Sequence, residues 1–260
     1  MAGQDQTLAE PRRLTLEEQE EFLLNGKIVK EKALSVGVTR SSKATLFYKG
    51  MTHAAHVQTI DEKSSSVKTT RGLEVNFRDY YGFNIAAYRL DKLLGLNMTP
   101  ASVKRKVRAM WAAVTWWVDD VAMMNLERVQ DNIQPPNIRD WNQQMYIVRI
   151  VNQLIYDTDP NLGNLLITKD WKLWSVDRTR AFRPYDILED PKQISRCDRS
   201  LLARLKGLNK KILKENLEDY LSGREIDGLD TRRLLIIRIL DGEILKNGED
   251  KVLYDLPQRD

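Results

Sequence analysis

Cysteine and histidine are scarce in this chain, which has one cysteine and two histidines among 260 residues. A single thiol, Cys197, excludes an internal disulfide and is consistent with a reducing compartment and an inert side chain. His53 and His56 are three residues apart, and such residues point to opposite faces of a strand, which disfavours one shared metal ion. The sequence also has no G-x-S-x-G motif, so nucleophilic hydrolase chemistry has no support.

Long apolar runs and a dominant charge are missing as well. No stretch approaches the roughly 18 consecutive apolar residues of a membrane-spanning helix, and the polar N-terminus lacks a signal-peptide core. The 41 basic and 37 acidic residues leave a net charge of only +4, so local basic clusters are interpreted as solvated faces rather than a nucleic-acid site. With 42% hydrophobic residues, the composition predicts an ordinary soluble globular protein. The missing apolar run and signal-peptide core make a cytoplasmic location the expectation.

The most informative segment is the polar loop 157–164 together with a later aspartate. Asp159 is followed by Asn164 five residues on and by Asp177 a further thirteen on. In kinase catalytic loops an Asp orients the acceptor hydroxyl, an Asn follows, and a later Asp holds Mg²⁺. Mg²⁺ takes few protein ligands, all oxygens, because it keeps several waters and also binds phosphates. The spacing therefore predicts Asp159 as the base and Asn164 and Asp177 as metal ligands.

Two other interpretations of this loop are open. Asp, Asn, Gly and Pro all favour turns, so the segment could be a structural connection only. A calcium loop would match the alternation of Asp157, Asp159 and Asn161, but it requires Gly at the sixth position and Glu at the twelfth. Leu162 and Thr168 stand at those positions, which weakens the calcium interpretation.

Hydrophobic periodicity predicts elements on both sides of the loop. A helix over 141–156 leads into it, and a hairpin of 165–168 and 173–176 follows it. The predicted elements before that helix are a short helix at 15–24, strands at 28–38, 44–48 and 54–60, a loop at 62–70, a helix at 83–94, strands at 102–108 and 112–118, and a link at 121–137. Closing helices are predicted near 201–205, 210–220 and 231–245.

This order predicts an α+β protein with the two-lobed plan of a protein kinase. A small antiparallel β lobe with one helix would precede a mainly helical C-terminal lobe. The expected divisions are an N-terminal extension with a short helix at 1–26, a nucleotide-covering lobe at 27–120, and a lobe with the catalytic loop and metal-binding Asp at 121–260. ATP would lie between the lobes, with Trp117, Val118 and Asp119 in the connector beside the adenine.

Three segments resemble atypical kinases. Residues 157–164, Asp-Thr-Asp-Pro-Asn-Leu-Gly-Asn, are similar to the catalytic loop of HipA-type kinases, and 176–182, Val-Asp-Arg-Thr-Arg-Ala-Phe, to the metal segment of phosphatidylinositol kinases. Residues 85–96 resemble the small-lobe helix of Fam20-like proteins, and residues 28–245 as a whole resemble a bacterial family of this atypical kinase fold. The resemblance implies ATP with Mg²⁺, or Mn²⁺, and an acceptor that is a protein, a lipid head group or a small molecule.

The small lobe departs from the kinase pattern. Kinases hold the nucleotide phosphates with a strand Lys paired to a helix Glu; Gln58 and Asn84 occupy the expected positions. Lys43, or a basic residue of the 62–71 segment, could substitute for the Lys, and Glu74 could be a displaced acidic partner. The expected phosphate-covering loop has one glycine, with hydroxyls such as Thr39 as further candidates.

Two functions follow from these features. The first is a phosphotransferase in which Asp159 activates an acceptor hydroxyl and Arg178 or Arg180 neutralises developing charge; transfer of AMP would use the same acidic groups. The second, motivated by Gln58 and Asn84, is a pseudokinase that binds nucleotide or serves as a scaffold without transfer.

Overall fold

The computed structural model describes residues 14–34, 41–69, 72–257 and 259. The predicted phosphate-covering loop, including Thr39, lies largely outside these residues. The first element is the helix α1, Leu16–Asn25, as the sequence predicts. Thr15 and Glu18 form its capping box, each side chain accepting the backbone N–H of the other.

The first half of the chain forms a five-stranded antiparallel sheet with the order β1-β2-β3-β7-β6. Inward-facing residues of its strands, such as Leu46 and Val114, pack with Phe22 of α1 into a small core. The elements of this half are β1 (Lys27–Ala33), β2 (Ser41–Tyr48), β3 (Met51–Gln58), β4 (Asp61–Thr69), β5 (Gly72–Tyr80), the helix α2 (Gly82–Leu94), β6 (Ser102–Val107) and β7 (Met110–Trp116).

The loop prediction for 62–70 is wrong, because this segment is strand β4 and pairs with β5 in a separate two-stranded ribbon. A serine- and lysine-rich segment has no apolar alternation to reveal a strand; the backbone ladder with β5 supplies the structure instead. The ribbon is largely exposed, and Leu73 on β5 is 70% exposed. The backbone N–H of Tyr80 donates to the Thr179 carbonyl at 2.9 Å, which attaches the ribbon to the segment after Asp177.

Helix α2 matches its predicted bounds within one residue, and its apolar face packs on the C-terminal half. Phe83, Leu90 and Leu94 belong to the large core that this half forms. Gly95 ends the helix in the left-handed conformation, with φ of +60°.

The C-terminal half is mainly helical around this core. Its long helix α7 begins eight residues before the predicted start at 231, because the capping box of Ser222 and Glu225 initiates it. The elements are β8 (Val121–Met124), α3 (Asn125–Gln130), α4 (Ile138–Ile155), β9 (Leu165–Thr168), β10 (Leu173–Ser175), β11 (Cys197–Asp198), α5 (Arg199–Gly207), α6 (Lys210–Leu217), α7 (Gly223–Asn247), α8 (Glu249–Val252) and β12 (Leu253–Tyr254).

The predicted link at 121–137 is only partly a link, since β8 joins the predicted β9–β10 hairpin as a third strand and α3 follows directly. Four residues are too few for a periodicity signal, so partner strands decide this element. The predicted α+β class, with an antiparallel sheet followed by a mainly helical part, is confirmed. Within the described ranges, every helix is too short or too polar to cross a bilayer.

Candidate active site

The start of the polar loop is held by a buried ion pair. Helix α4 ends before Tyr156, which turns the chain with φ of +47°. The Asp157 carboxylate accepts the Asp159 N–H at 3.0 Å and, on its other oxygen, the Arg178 guanidinium. Both partners are almost fully buried, and Arg178 also donates to Asn152 at 2.9 Å. The guanidinium of Arg178, one of the two arginines expected from the sequence to neutralise developing charge, is thus engaged by the side chains of Asp157 and Asn152.

The end of the loop is a short turn that carries Asn164. The Asn161 side chain accepts the N–H groups of Gly163 and Asn164 at 2.9 and 3.1 Å. The Asn164 carbonyl accepts the N–H of Val176 at 2.9 Å. Because Val176 immediately precedes Asp177, this bond brings the backbone of Asn164 next to the segment that carries Asp177.

Asp177 adopts a left-handed backbone conformation, with φ of +53°, which Asp tolerates better than most residues. Its Oδ1 accepts two hydrogen bonds, from Gln58 Nε2 at 3.1 Å and from Thr179 Oγ1 at 3.2 Å. Both donors therefore use one oxygen, and among the described residues no donor reaches Oδ2. That oxygen can serve a cation.

The residues at the expected lysine and glutamate positions contact each other. Asn84 Nδ2 donates to Gln58 Oε1 at 2.6 Å, and Asn84 Oδ1 accepts the Arg178 N–H at 2.6 Å. Gln58 is 1% and Asn84 6% exposed. A chain of neutral amides thus runs from α2 through β3 to Asp177, where kinases have an ion pair.

A cavity of about 460 Å³ lies between the five-stranded sheet and the three-stranded sheet β10-β9-β8 of the C-terminal half. This volume is usual for a small-molecule site. Asn164 and Asp177 line it, whereas Asp159 lies on the same loop with a side chain that is 41% exposed. The other lining residues are Leu34, Ser41, His56, Asn84, Thr99, Pro100, Thr115, Trp116, Trp117, Val118, Val121, Met124, Leu166, Ser175, Val176 and Arg178.

The predicted connector contributes two of its three residues to this cavity. Trp117 and Val118 line it, and Lys43 Nζ lies 3.9 Å from the centroid of the Trp117 ring. Asp119 does not line it, and its carboxylate contacts His53 Nε2 at 2.9 Å. The Trp117 N–H donates to the Ala54 carbonyl at 3.2 Å, so an adenine would have to use other backbone groups, such as those of Val118.

The two histidines lie on opposite faces of β3, as their spacing predicts. His53 stacks on Trp116 with ring centroids 3.5 Å apart, and His56 lines the cavity. Burial lowers the pKa of His56 below its usual value, while the charge of Asp177 acts in the opposite direction. The sequence analysis assigned His56 to no site; its position two residues before Gln58, on the same face of a strand, was the available signal.

A further carboxylate, Asp79 at the end of β5, was also missed. Burial raises its pKa, and the negative charge of Asp177 acts in the same direction, whereas the Thr179 hydroxyl lowers it by a hydrogen bond. Asp79 therefore keeps its proton to a higher pH than an exposed aspartate does.

Glu74 has different partners from those expected. Its carboxylate accepts the guanidinium groups of Arg180 and Arg183 and the Thr158 hydroxyl at 3.2 Å. These residues belong to the polar loop and to the segment after Asp177. Glu74 is thus linked to the loop rather than to a phosphate-binding lysine of the sheet.

The comparisons with known proteins bear on the fold. No protein-family model and no curated protein sequence matches the chain. Among solved structures, hydra Fam20 with sugar is similar with a TM-score of 0.66 and 14% identity over 92% of each chain. The Helicobacter pylori proinflammatory kinase CtkA is similar with a TM-score of 0.53 and 10% identity, over 86% of this chain and 98% of that one.

These likenesses show a kinase-like fold, which confirms the two-lobed architecture predicted from the order of elements. At such low identities they carry the fold alone. The finer resemblance to HipA-type and phosphatidylinositol kinases stays a prediction, as do the roles of the individual site residues.

Proposed function

We propose that this protein is an ATP- and Mg²⁺-dependent phosphotransferase. The observation that carries the proposal is the pairing of Asn164 with Asp177 in a cavity of ligand size on a kinase-like fold. Asp159 lies on the same loop, and its N–H is held by the buried Asp157. In this proposal residues 27–120 cover the nucleotide and residues 121–260 carry the catalytic groups.

The donor set suits a hard divalent cation. Asp177 offers Oδ2 and Asn164 an amide oxygen, and Mg²⁺ in nucleotide sites commonly uses one or two such protein ligands together with phosphates and water. Mn²⁺ accepts the same oxygen donors. A bound ion would supply positive charge to the nucleotide phosphates. That supply is needed, because among the described lining residues only Arg178 is a lysine or arginine, and its guanidinium is engaged by Asp157.

The apolar part of the cavity lining suits an adenine. It includes Val121, Met124, Leu166 and Trp117. A mostly apolar cavity with a few placed polar groups is the usual form of a cofactor site.

Asp159 is proposed as the base that orients an acceptor hydroxyl, since its exposure leaves it accessible to a second substrate. Proteins, lipid head groups and small molecules all offer such hydroxyls. The structure of hydra Fam20 contains sugar, so sugar hydroxyls are the first acceptors to test.

The test is transfer of label from γ-labelled ATP in the presence of Mg²⁺ to panels of sugars, proteins and lipid head groups. Asp177→Asn removes the charged metal ligand and should lower the rate by about 10³-fold, because stabilisation of the transferring phosphoryl group is lost. Asp159→Ala should also abolish transfer. Asp170→Asn, an aspartate in the β9–β10 turn, is the matched control. Turnover that survives Asp177→Asn would contradict the proposal, and label retained from α-labelled ATP would indicate AMP transfer.

The pseudokinase alternative is favoured by one observation, the Gln58 amide that donates to Asp177 where kinases have a lysine. Thermal unfolding with ATP and Mg²⁺ tests it, because a ligand at 100 times its Kd stabilises a protein by about 2.7 kcal/mol. Stabilisation without label transfer would support a nucleotide-binding pseudokinase. Neither stabilisation nor transfer would leave a scaffold.

A further inference from the structure

The side chain of Glu74 is largely shielded from solvent, although its two neighbours on strand β5 are exposed. Its side chain is 13% exposed, whereas the neighbouring Leu73 and Val75 are 70% and 49% exposed. It accepts Arg180 Nη2, Arg183 Nη2 and the Thr158 hydroxyl. Burying a charge is costly unless it is paired and hydrogen-bonded, and here the pairing joins three segments that are distant in sequence.

Two of these partners belong to the immediate surroundings of the candidate base. Thr158 directly precedes Asp159, and its N–H donates to the Arg180 carbonyl at 3.3 Å. Its single hydroxyl proton is shared between that carbonyl, at 2.9 Å, and the Glu74 carboxylate, at 3.2 Å. Arg180 Nη1 lies 3.6 Å from Asp159 Oδ2. Arg180 is therefore placed between two carboxylates, those of Glu74 and Asp159.

The two carboxylates do not hold Arg180 equally. Glu74 is in direct hydrogen-bonding contact and 13% exposed, whereas Asp159 is more distant and 41% exposed. Charge attraction weakens with distance and with solvent exposure, so Glu74 holds the guanidinium more strongly.

We propose that Glu74 is a positioning residue for the candidate base. It holds Arg180 on the ribbon side, so that Asp159 keeps only a long contact with this cation and stays accessible to an acceptor hydroxyl. This inference rests on the proposed function for the role of Asp159. Without the Glu74 charge, Arg180 would move onto Asp159 and the loop would lose its attachment to the ribbon.

The first experiment compares two ribbon carboxylates in the full chain. Glu74→Gln should lower kcat about tenfold with little change in the KM for ATP, because the base and not the nucleotide site is disturbed. Asp61→Asn is the matched control, since Asp61 pairs with Arg78 of the ribbon itself at 2.8 Å, and it should keep wild-type kcat. Glu74→Asp, which retains the charge, should keep more activity than Glu74→Gln. Equal kcat in wild type and Glu74→Gln would overturn the proposal.

A second variant separates positioning from general loss of structure. Glu74→Gln leaves Arg180 and Arg183 without their anion, and adding Arg180→Gln removes the cation that would occupy Asp159. The double variant should recover several-fold in kcat over Glu74→Gln. A further loss of kcat would show that Arg180 does not obstruct the base.

Hydrogen exchange gives a readout that does not need transfer activity. The amides of 158–164 should exchange faster in Glu74→Gln than in wild type, and Asp61→Asn should leave them unchanged. Equal exchange in both variants would overturn the role of Glu74 as an anchor. If the wild type transfers no phosphate, the proposed function fails, while the exchange experiment still decides whether Glu74 holds the loop.

Discussion

Two buried contacts near the cavity differ in charge. On the helical side, Asp157 and Arg178 form an ion pair with side chains that are 1% and 5% exposed. On the sheet side, the equally buried contact between Gln58 and Asn84 is neutral. Both contacts hold the segment of Asp177, one through the Arg178 side chain and the other through hydrogen bonds to Asp177 and to the Arg178 N–H.

The charged contact and the neutral contact have different consequences. A buried ion pair offsets its desolvation only with good geometry and further hydrogen bonds, which Asn152 and the Asp159 N–H supply here, and in return it fixes two loops in register. A buried amide pair costs less to desolvate but brings no fixed charge to the phosphates. The ion pair therefore sets geometry, and in the proposed function charge compensation on the sheet side would come from a cation bound with the nucleotide.

The largest effect is expected from breaking the ion pair of Asp157 and Arg178. Arg178→Met leaves Asp157 buried without its cation and should lower the free energy of unfolding by about 3 kcal/mol or more, as for other buried pairs that lose one partner. Urea unfolding measures it. Arg149→Met, on an exposed face of α4, is the control and should cost less than about 0.5 kcal/mol. Equal stability of the two variants would contradict the assigned role of the ion pair.

A smaller effect is expected from placing charged side chains in the buried contact between Gln58 and Asn84. Asn84→Glu should destabilise by about 2 kcal/mol, because it places a charge in a buried site without its counterion. Gln58→Lys should cost less, because the Asp177 carboxylate that accepts the Gln58 amide lies within reach of the new ammonium group. The double variant should be more stable than the sum of the two changes predicts, with a coupling of about 1 kcal/mol. It should also bind ATP more tightly, as measured by calorimetry. Strictly additive stabilities would show that the two positions do not form a pair.

The smallest effect concerns the protonation of His56, which lies on the same strand as Gln58. Burial lowers the pKa of His56, so the unfolded chain binds this proton at a higher pH than the folded protein does. Stability from the neutral ring is therefore fully present above the unfolded pKa of about 6.5 and is lost as the pH falls towards the lower folded pKa. His56→Gln should show a flatter decline of the melting temperature over this range. An unchanged slope would contradict this prediction.

Sequence reasoning succeeded where a long element imposes a period, as the apolar repeat does in α2. The roles of Asp159, Asn164 and Asp177, which were inferred from local spacing, stay predictions. Sequence reasoning failed at β4 and β8, where polar or short segments become strands only because a partner strand is nearby. It also missed the partners of Glu74, since an ion pair between residues more than 100 positions apart leaves no local signal.

The amino-acid sequence by itself determined the α+β order of elements and the polar loop with the aspartate that follows it, because hydrophobic period and residue spacing are local properties. Only the tertiary structure decided which charges became partners. Arg178 pairs with Asp157, and Glu74 pairs with Arg180 and Arg183. Gln58 donates a hydrogen bond to Asp177. The physical reason is that a buried polar group needs a hydrogen-bonding partner, and folding can supply that partner from any part of the chain. The residues adjacent in sequence therefore do not reveal it.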